Sequence, residues 1–202
     1  MPERKPRADA VRNREAVLAA ADRLFAGCDR PEQVTMADIA AAAGVGKATL
    51  FRGFTDRTGL IRALYETRLE PIRQAIANGP RPLGPTTPPM ERALALLDAI
   101  LCFKLDHRHL SLALEGTGSD SPYSAEHYGW WHDTLRRMLE QLPRFKGSDF
   151  AAHALLAAVR ADLVDHLVDR RHMSREQLRA ELAAFATRVL TDSSPHGPNA
   201  ED

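Results

Sequence analysis

The chain contains 202 residues, of which 44% are hydrophobic, and its 27 basic side chains balance 27 acidic ones. This length suffices for one sizeable domain or two small ones, and the neutral balance excludes the strongly basic composition that usually accompanies nucleic-acid binding. Cys28 and Cys102 lie outside any C-x-x-C spacing, which excludes a disulfide framework and predicts free thiols. The sequence lacks a signal-peptide core and any run near the roughly 20 apolar residues of a membrane span, so we expect a cytoplasmic chain without membrane contact.

Helices are predicted along the whole chain, because apolar residues recur at helical spacing and no convincing alternating strand appears. We therefore expect an all-α fold. A small basic arm, residues 4–14, precedes the apolar stripe of a first helix, residues 17–25. The arm either contacts DNA or is an ordinary solvated terminus.

Three further helices follow the first. Thr35 is a good N-cap for a short second helix that ends at Gly44. Another short helix is centred on Leu50, and a fourth begins after Asp56. Pro71 lies inside the fourth helix, where a proline is expected to kink or break it.

The carboxy-terminal part is also predicted to be helical, after a linker at residues 78–89 that contains five prolines. Apolar stripes predict three helical segments: residues 90–103, 128–142 and 150 to about 168. Ser174 and Gln177 form a capping box for a last helix. Beyond it, residues 191–202 are expected to be disordered.

The stretch AGVGKATLF, residues 43–51, looks at first like a glycine-rich loop that holds a nucleotide phosphate. The G-x-x-x-x-G-K-[ST] pattern fails, because Ala41 replaces its first glycine and Ala48 replaces the hydroxyl that would ligate magnesium. The dinucleotide pattern G-x-G-x-x-G fails at Thr49. The stretch is therefore not predicted to bind a nucleotide.

Two short helices joined by a glycine turn are instead typical of a helix-turn-helix, whose second helix enters the major groove of DNA. Gly44 allows the left-handed conformation that reverses the chain. Leu50 and Phe54 lie four residues apart and are expected to face the core. The opposite face then carries four exposed residues: Lys47, Ala48, Phe51 and Arg52.

The segment TMADIAAAAGVGKATLFRGFTDRTGLIRAL, residues 35–64, resembles the DNA-binding region of the tetracycline-repressor (TetR) family of bacterial transcriptional regulators. The resemblance extends more loosely to residues 14–25, and elsewhere it concerns only length and helical character. It implies a DNA-binding domain at residues 1–55 and a helical regulatory domain at residues 56–190. It further implies a homodimer that binds a double-stranded operator, is released by a small hydrophobic effector and needs no cofactor.

The resemblance and the exposed face of the third helix together predict eight residues at the DNA: Thr35, Gly46, Lys47, Ala48, Thr49, Phe51, Arg52 and Arg57. Thr35 and Arg57 would contact phosphates, and Lys47 and Thr49 would contact the groove or the backbone. Phe51 would pack on a sugar or on a thymine methyl group. These roles agree with the way cations and hydroxyls position a protein on DNA while a few side chains read the bases.

Two positions depart from the family pattern. Gly46 stands where a serine-type cap is usual, which weakens the start of the third helix. Gly53 stands where a histidine or tyrosine often reaches phosphate, and Arg52 beside it is expected to take over that contact.

Two further sets of residues are expected in the regulatory domain. An apolar pocket for a hydrophobic effector is lined by six residues: Leu101, Phe103, Trp130, Trp131, Thr134 and Met138. A dimer is expected because two operator half-sites are read by a two-fold dimer. The last two helices supply nine interface residues: Leu155, Leu156, Val159, Leu163, Leu167, Leu178, Leu182, Phe185 and Val189. Packing within the subunit's own core is the alternative role for members of both sets.

Catalytic and metal-binding motifs are not recognised. The pairs His107/His109 and His127/His132 lack the i,i+4 spacing and the glutamate of a zinc-binding helix, which favours surface histidines over a metal site. No G-x-S-x-G motif appears, so an enzyme is not expected. The rival interpretation is a helical interaction protein of the same fold with weak or lost DNA binding, which the two glycine departures favour.

Overall fold

The fold is helical throughout the residues that the computed structural model describes, which are 4–27, 31–115, 123, 126–147 and 149–191. Ten α-helices lie in those ranges: α1 (Arg4–Ala26), α2 (Met36–Ala43), α3 (Lys47–Gly53), α4 (Arg57–Asn78), α5 (Pro89–Asp106), α6 (Arg108–Glu115), α7 (Glu126–Leu139), α8 (Asp149–Ala157), α9 (Ala161–Asp169) and α10 (Arg175–Thr191). The all-α prediction is confirmed. Cys28 and the expected disordered tail beyond Thr191 lie outside the described residues. No described helix is long and apolar enough to cross a membrane.

Helices α1, α2 and α3 form the amino-terminal unit. Val17 and Phe25 of α1, Ile39 of α2 and Leu50 of α3 all belong to its buried apolar centre. The basic segment expected as an arm is helical, because α1 already begins at Arg4. The positive charges of this segment are therefore carried on a helix that leads directly into the unit.

Helix α4 joins this unit to the rest of the chain. Its buried side chains run from Leu60 near the start to Ile76 near the end. The break expected at Pro71 does not occur, since α4 is one helix over its whole length. Pro71 is exposed, so its ring does not disturb the core, and the buried residues on both sides keep the helix in place.

Helix α5 is the centre of the carboxy-terminal half. Buried residues occur on several of its sides, and α7, α9 and α10 pack against it. Two ion pairs tie α10 to α5, with Arg175 Nη1 2.5 Å from Asp106 Oδ1 and Arg179 Nε 2.7 Å from Asp98 Oδ1. The capping box that starts α10 is confirmed, because Ser174 and Gln177 exchange backbone and side-chain hydrogen bonds.

The proline-rich linker at residues 78–89 is fastened to the helices on both sides. Arg92 of α5 donates from Nε to the carbonyl of Leu83 at 2.8 Å and from Nη2 to the carbonyl of Ile76 at 2.6 Å. Thr87 within the segment is buried. Apolar residues before and after the linker belong to one continuous core, and the domain boundary at residues 55 and 56 stays a prediction.

The prediction of one helical segment from residue 150 to about 168 is wrong in detail, because the structure has two helices there, α8 and α9. The chain turns between them, and the backbone N–H of Ala161, the first residue of α9, donates to Glu115 Oε2 at 2.8 Å. Glu115 ends α6, a helix that the apolar pattern did not reveal. A side chain distant in sequence thus binds the start of α9, which local periodicity does not report.

A buried ion pair lies between α5 and α6. Lys104 Nζ is 2.6 Å from Glu115 Oε1, and both side chains are almost fully buried. Burial lowers the pKa of Lys104 below its usual range, and the adjacent Glu115 carboxylate opposes that shift. The pair is therefore a place where loss of one charge leaves the other buried without compensation.

The histidines expected at the surface are instead largely enclosed. His127 is buried, and His107 and His109 are half-buried. The ring of His109 on α6 lies 5.3 Å from the ring of Phe25 on α1. Burial, followed by the neighbouring His107 and Arg57, lowers the pKa of His109 to about 4.

The first prediction concerns the buried ion pair. Glu115→Gln keeps an oxygen for the Ala161 N–H but removes the charge that compensates Lys104, and it should lower the free energy of unfolding by about 3 kcal/mol. Urea denaturation measures this change. Lys104→Met combined with Glu115→Gln should recover part of the loss, whereas Glu181→Gln on the exposed side of α10 should be neutral. Equal stability of Glu115→Gln and the parent chain would contradict the assignment.

The second prediction concerns pH. The folded state keeps His109 neutral down to about pH 4, whereas the ordinary histidine pKa is 6.5, so the unfolded state binds more protons between these values. The stabilising contribution of a neutral His109 is complete above pH 6.5 and is lost as the pH falls toward 4. Burial lowers the pKa of His107 and His127 in the same direction. Urea denaturation should show that the free energy of unfolding is lower at pH 5 than at pH 7. His109→Gln should make this difference smaller, whereas His166→Gln, at an exposed position, should leave it as large as in the parent chain.

Candidate nucleic-acid interface

The start of α2 is fixed by a reciprocal cap. The backbone N–H of Asp38 donates to Thr35 Oγ1 at 3.2 Å, and the Thr35 backbone N–H donates to Asp38 Oδ2 at 2.9 Å. The Thr35 hydroxyl also donates to Asp38 Oδ2 at 2.6 Å, and these bonds lower the pKa of Asp38. The predicted cap is confirmed. The phosphate contact expected of Thr35 stays a prediction, and its hydroxyl hydrogen is engaged by Asp38.

The turn between α2 and α3 depends on Gly44. Its φ of 66° lies in the left-handed region, and its N–H donates to the last carbonyls of α2. A Cβ placed there would meet nothing within 4 Å. The glycine is therefore required by backbone conformation and not by crowding.

Helix α3 has one buried side and one exposed side, as the spacing predicts. Leu50 and, just beyond the helix, Phe54 are buried. Lys47, Ala48 and Arg52 are exposed, and Phe51 is 49% exposed. Thr49 is half-buried between the two sides. The structure thus brings the main predicted contact residues onto one short helical surface.

The ends of α3 carry the two unusual glycines. Gly46 is the N-cap of α3, with extended backbone and no side-chain hydrogen bond. Gly53 ends the helix, and its carbonyl accepts a 3.3 Å hydrogen bond from Arg14 Nη1 of α1. Arg14 also lies 4.6 Å above the centre of the Phe54 ring. A residue of the basic segment therefore holds α3 in place.

Arg57 differs from the other predicted contact residues because its side chain bonds backbone carbonyls within the protein. Its Nη2 donates to the Pro31 carbonyl at 2.7 Å and its Nε to the Val34 carbonyl at 3.4 Å. The guanidinium also lies 5.4 Å from the centre of the Phe25 ring. Arg57 thus connects the segment between α1 and α2 to the start of α4. Its phosphate contact stays a prediction.

Comparison with known proteins agrees with this geometry. Residues 17–64, from α1 into α4, match the family described as bacterial regulatory proteins, tetR family. An HTH-type transcriptional regulator of Staphylococcus aureus is 26% identical over 178 residues, which cover 86% of this chain and 91% of the relative. Residues 17–64 therefore resemble the DNA-binding region of TetR-family transcriptional regulators, and the relative has a similar length to this chain.

Solved TetR-family structures share the fold. A TetR-like transcriptional regulator from Rhodococcus sp. RHA1 aligns with a TM-score of 0.59 at 21% identity, covering 90% of this chain and 97% of that one. Thermus thermophilus FadR, a TetR-family repressor solved in complex with lauroyl-CoA, aligns with a TM-score of 0.62 at 17% identity and covers 94% and 100%. At these identities the likeness concerns the fold alone.

The predicted pocket residues separate into three groups. Trp130, Thr134 and Met138 of α7 line a cleft of about 630 Å³ against the end of α4. Trp131 lines a different, nearly filled cavity of about 10 Å³ between α5, α6, α7 and α8. Leu101 and Phe103 are buried and line neither space.

The small cavity contains polar groups that sequence reasoning missed. Lys104 and Glu115 line it with His127, whose Nε2 is buried and makes no hydrogen bond to a described residue. Burial lowers the pKa of His127, which keeps its imidazole neutral. The sequence carries no local signal for this cluster, because its three polar members come from three different helices.

The nine predicted interface residues also divide. Five of them are buried within the subunit: Leu155, Leu156, Val159, Leu178 and Leu182. Leu167 and Val189 are half-buried, and two remain exposed, Leu163 at 38% and Phe185 at 39%. The buried five serve the subunit's own core, so the predicted interface reduces to the other four.

Proposed function

We propose that the chain is a homodimeric repressor that reads a palindromic operator through α3 and is released by a small hydrophobic effector. The exposed face of α3 carries this proposal. It presents two cations, a small residue and an aromatic ring on a helix too short to be stable alone, and Leu50 on its other side anchors it to the core.

Affinity and reading are supplied by different residues on that face. Lys47 and Arg52 offer positive charge to the phosphates, while Ala48 permits close approach to the base edges. Phe51 offers an apolar surface for a sugar or a thymine methyl group. The orientation of all four is set by the burial of Leu50 and Phe54 and by the contact of Arg14 with Phe54.

The effector is proposed to bind the cleft between α4 and α7. Its volume of about 630 Å³ lies within the ordinary range of ligand pockets. Trp130 and Met138 supply apolar surface, and Arg73, which lies 5.0 Å from the centre of the Trp130 ring, adds positive charge at its edge. Thermus thermophilus FadR, which shares the fold, was solved with lauroyl-CoA, a molecule that has an apolar acyl chain and a charged end.

Release is proposed to follow from the position of this cleft on α4. The same helix extends to the DNA-binding unit, and Pro71 lies on it between the two ends. An effector that binds better to a form with the two α3 helices wrongly spaced lowers operator affinity by that difference in binding.

The dimer is proposed to form through α9 and α10. Leu163 and Phe185 on these helices are large apolar residues that are exposed and do not belong to the subunit's own core. Half-buried Leu167 and Val189 extend the same two helices' apolar surface. Large apolar side chains left at the surface of successive helices favour association with a second copy.

The DNA-binding proposal predicts a salt-sensitive gel shift with the DNA that flanks the chain's own coding region. Lys47→Ala and Arg52→Ala should each weaken binding and lower the slope of log affinity against log salt by about one. Arg188→Ala removes an equal charge from exposed α10 and should leave both quantities unchanged. Absent or salt-insensitive binding would instead support the rival interaction protein of the same fold.

The dimer proposal predicts that Phe185→Glu produces a monomer, because it places a charge in an apolar interface. Light scattering coupled to size exclusion measures the mass. Ala183→Glu, two residues away on the other side of α10, is the matched control and should remain dimeric. A Phe185→Glu chain with the mass of a dimer would show that the interface lies elsewhere.

A further inference from the structure

Two histidines and an aspartate from different helices converge at the contact of α7 with α8. His132 Nε2 of α7 lies 3.2 Å from Asp149 Oδ1, and His153 Nε2 lies 3.5 Å from Asp149 Oδ2. The two imidazole rings stack with centroids 4.0 Å apart and planes 23° from parallel. All three donor atoms lie within 4.8 Å of one another.

These donors fit a transition-metal ion in kind and in spacing. Imidazole nitrogen and carboxylate oxygen bind Zn²⁺ at about 2.0–2.2 Å, so neighbouring ligands of a tetrahedral ion lie roughly 3.3 Å apart. His132 Nε2 lies 3.2 Å from Asp149 Oδ1, and His153 Nε2 lies 3.5 Å from the other carboxylate oxygen, so each imidazole is near that separation from the carboxylate. Three protein ligands leave a fourth position for water, and Asp149 is 64% exposed, so the site is open to solvent.

The outer nitrogen of the His153 ring has the kind of partner that orients a metal-ligating histidine. His153 Nδ1 lies 2.6 Å from the Tyr128 hydroxyl, and His132 Nδ1 faces the Asp133 carboxylate at 3.9 Å. A partner at Nδ1 fixes the tautomer that presents Nε2 to a metal. The Nε2 atoms of both rings lie within 3.5 Å of an Asp149 carboxylate oxygen.

The cluster is incompletely satisfied by the protein itself. His132 is only 11% exposed, yet its Nε2 makes no hydrogen bond with any residue that the structure describes. Among the described residues, Asp149 has no lysine or arginine partner and faces only the two imidazoles. A cation between the three donors would satisfy the nitrogen and the carboxylate together.

We propose that His132, Asp149 and His153 bind one divalent transition-metal ion, with Zn²⁺ as the test ion. Asp149 begins α8 and His153 lies one turn later on the same helix, so the ion would clamp the first turn of α8 to α7. Tyr128 is a positioning residue that orients His153. The site is separate from the face of α3, and it stands whether or not an operator is found.

The test is Zn²⁺ binding to the full chain without an affinity tag, after removal of metal with a chelator, measured by calorimetry and by competition with a chromogenic chelator. One Zn²⁺ per chain is expected. Asp149→Asn and His153→Gln should each weaken binding by more than about a hundredfold, because loss of a ligand exceeds the 10–100-fold effect of losing its outer partner. Asp149 is exposed, so its replacement leaves folding intact, which circular dichroism verifies.

Two variants make the result specific. Tyr128→Phe should weaken binding by about 10–100-fold while the stoichiometry of one is kept, which a merely structural tyrosine would not do. His166→Gln removes an exposed histidine of α9 and should change nothing. Lack of Zn²⁺ binding by the parent chain, or equal affinity in Asp149→Asn and His153→Gln, would overturn the site.

Discussion

The hydrogen bond that Trp131 donates to the hydroxyl of Tyr65 fixes α4 against the carboxy-terminal helices. The Tyr65 ring is fully buried and meets Phe103 edge-on with centroids 4.9 Å apart, so helices α4, α5 and α7 converge on one aromatic cluster. Because α4 is a single helix, this cluster also fixes the neighbouring turn of α4, where Arg68 bonds Asp22 of α1. The placement of the amino-terminal unit therefore depends on packing among α4, α5 and α7.

Local features of the DNA-binding unit were predictable from the sequence. The Thr35 cap, the Gly44 turn and the division of α3 into a buried side with Leu50 and an exposed side with Lys47 each depend on residues within a few positions of one another. Helix capping, left-handed glycine and helical periodicity act over that same range. The prediction of a capping box at Ser174 was confirmed for the same reason.

Features that depend on distant partners were not predictable. Arg57 bonds the carbonyl of Pro31, 26 residues earlier, and the sequence did not indicate this contact. The histidine pairs were judged by sequence spacing, and the candidate metal cluster joins His132 to a helix that begins at Asp149. Asp149 and His153 do have the i,i+4 spacing of ligands on one helix face, which was the available signal. It gains meaning only when a third donor from another helix is known to lie beside it.

The missing cap at Gly46 weighs little against DNA binding. A glycine N-cap differs from serine by only a few tenths of a kcal/mol, because its backbone still adopts the extended conformation that an N-cap needs. A tenfold change in DNA affinity corresponds to about 1.4 kcal/mol, several times more. Helix α3 is also held by the burial of Leu50 and by the Arg14 hydrogen bond to its last carbonyl, so it does not rely on the cap. The missing cap is therefore too small a term to favour the alternative, an interaction protein with lost DNA binding.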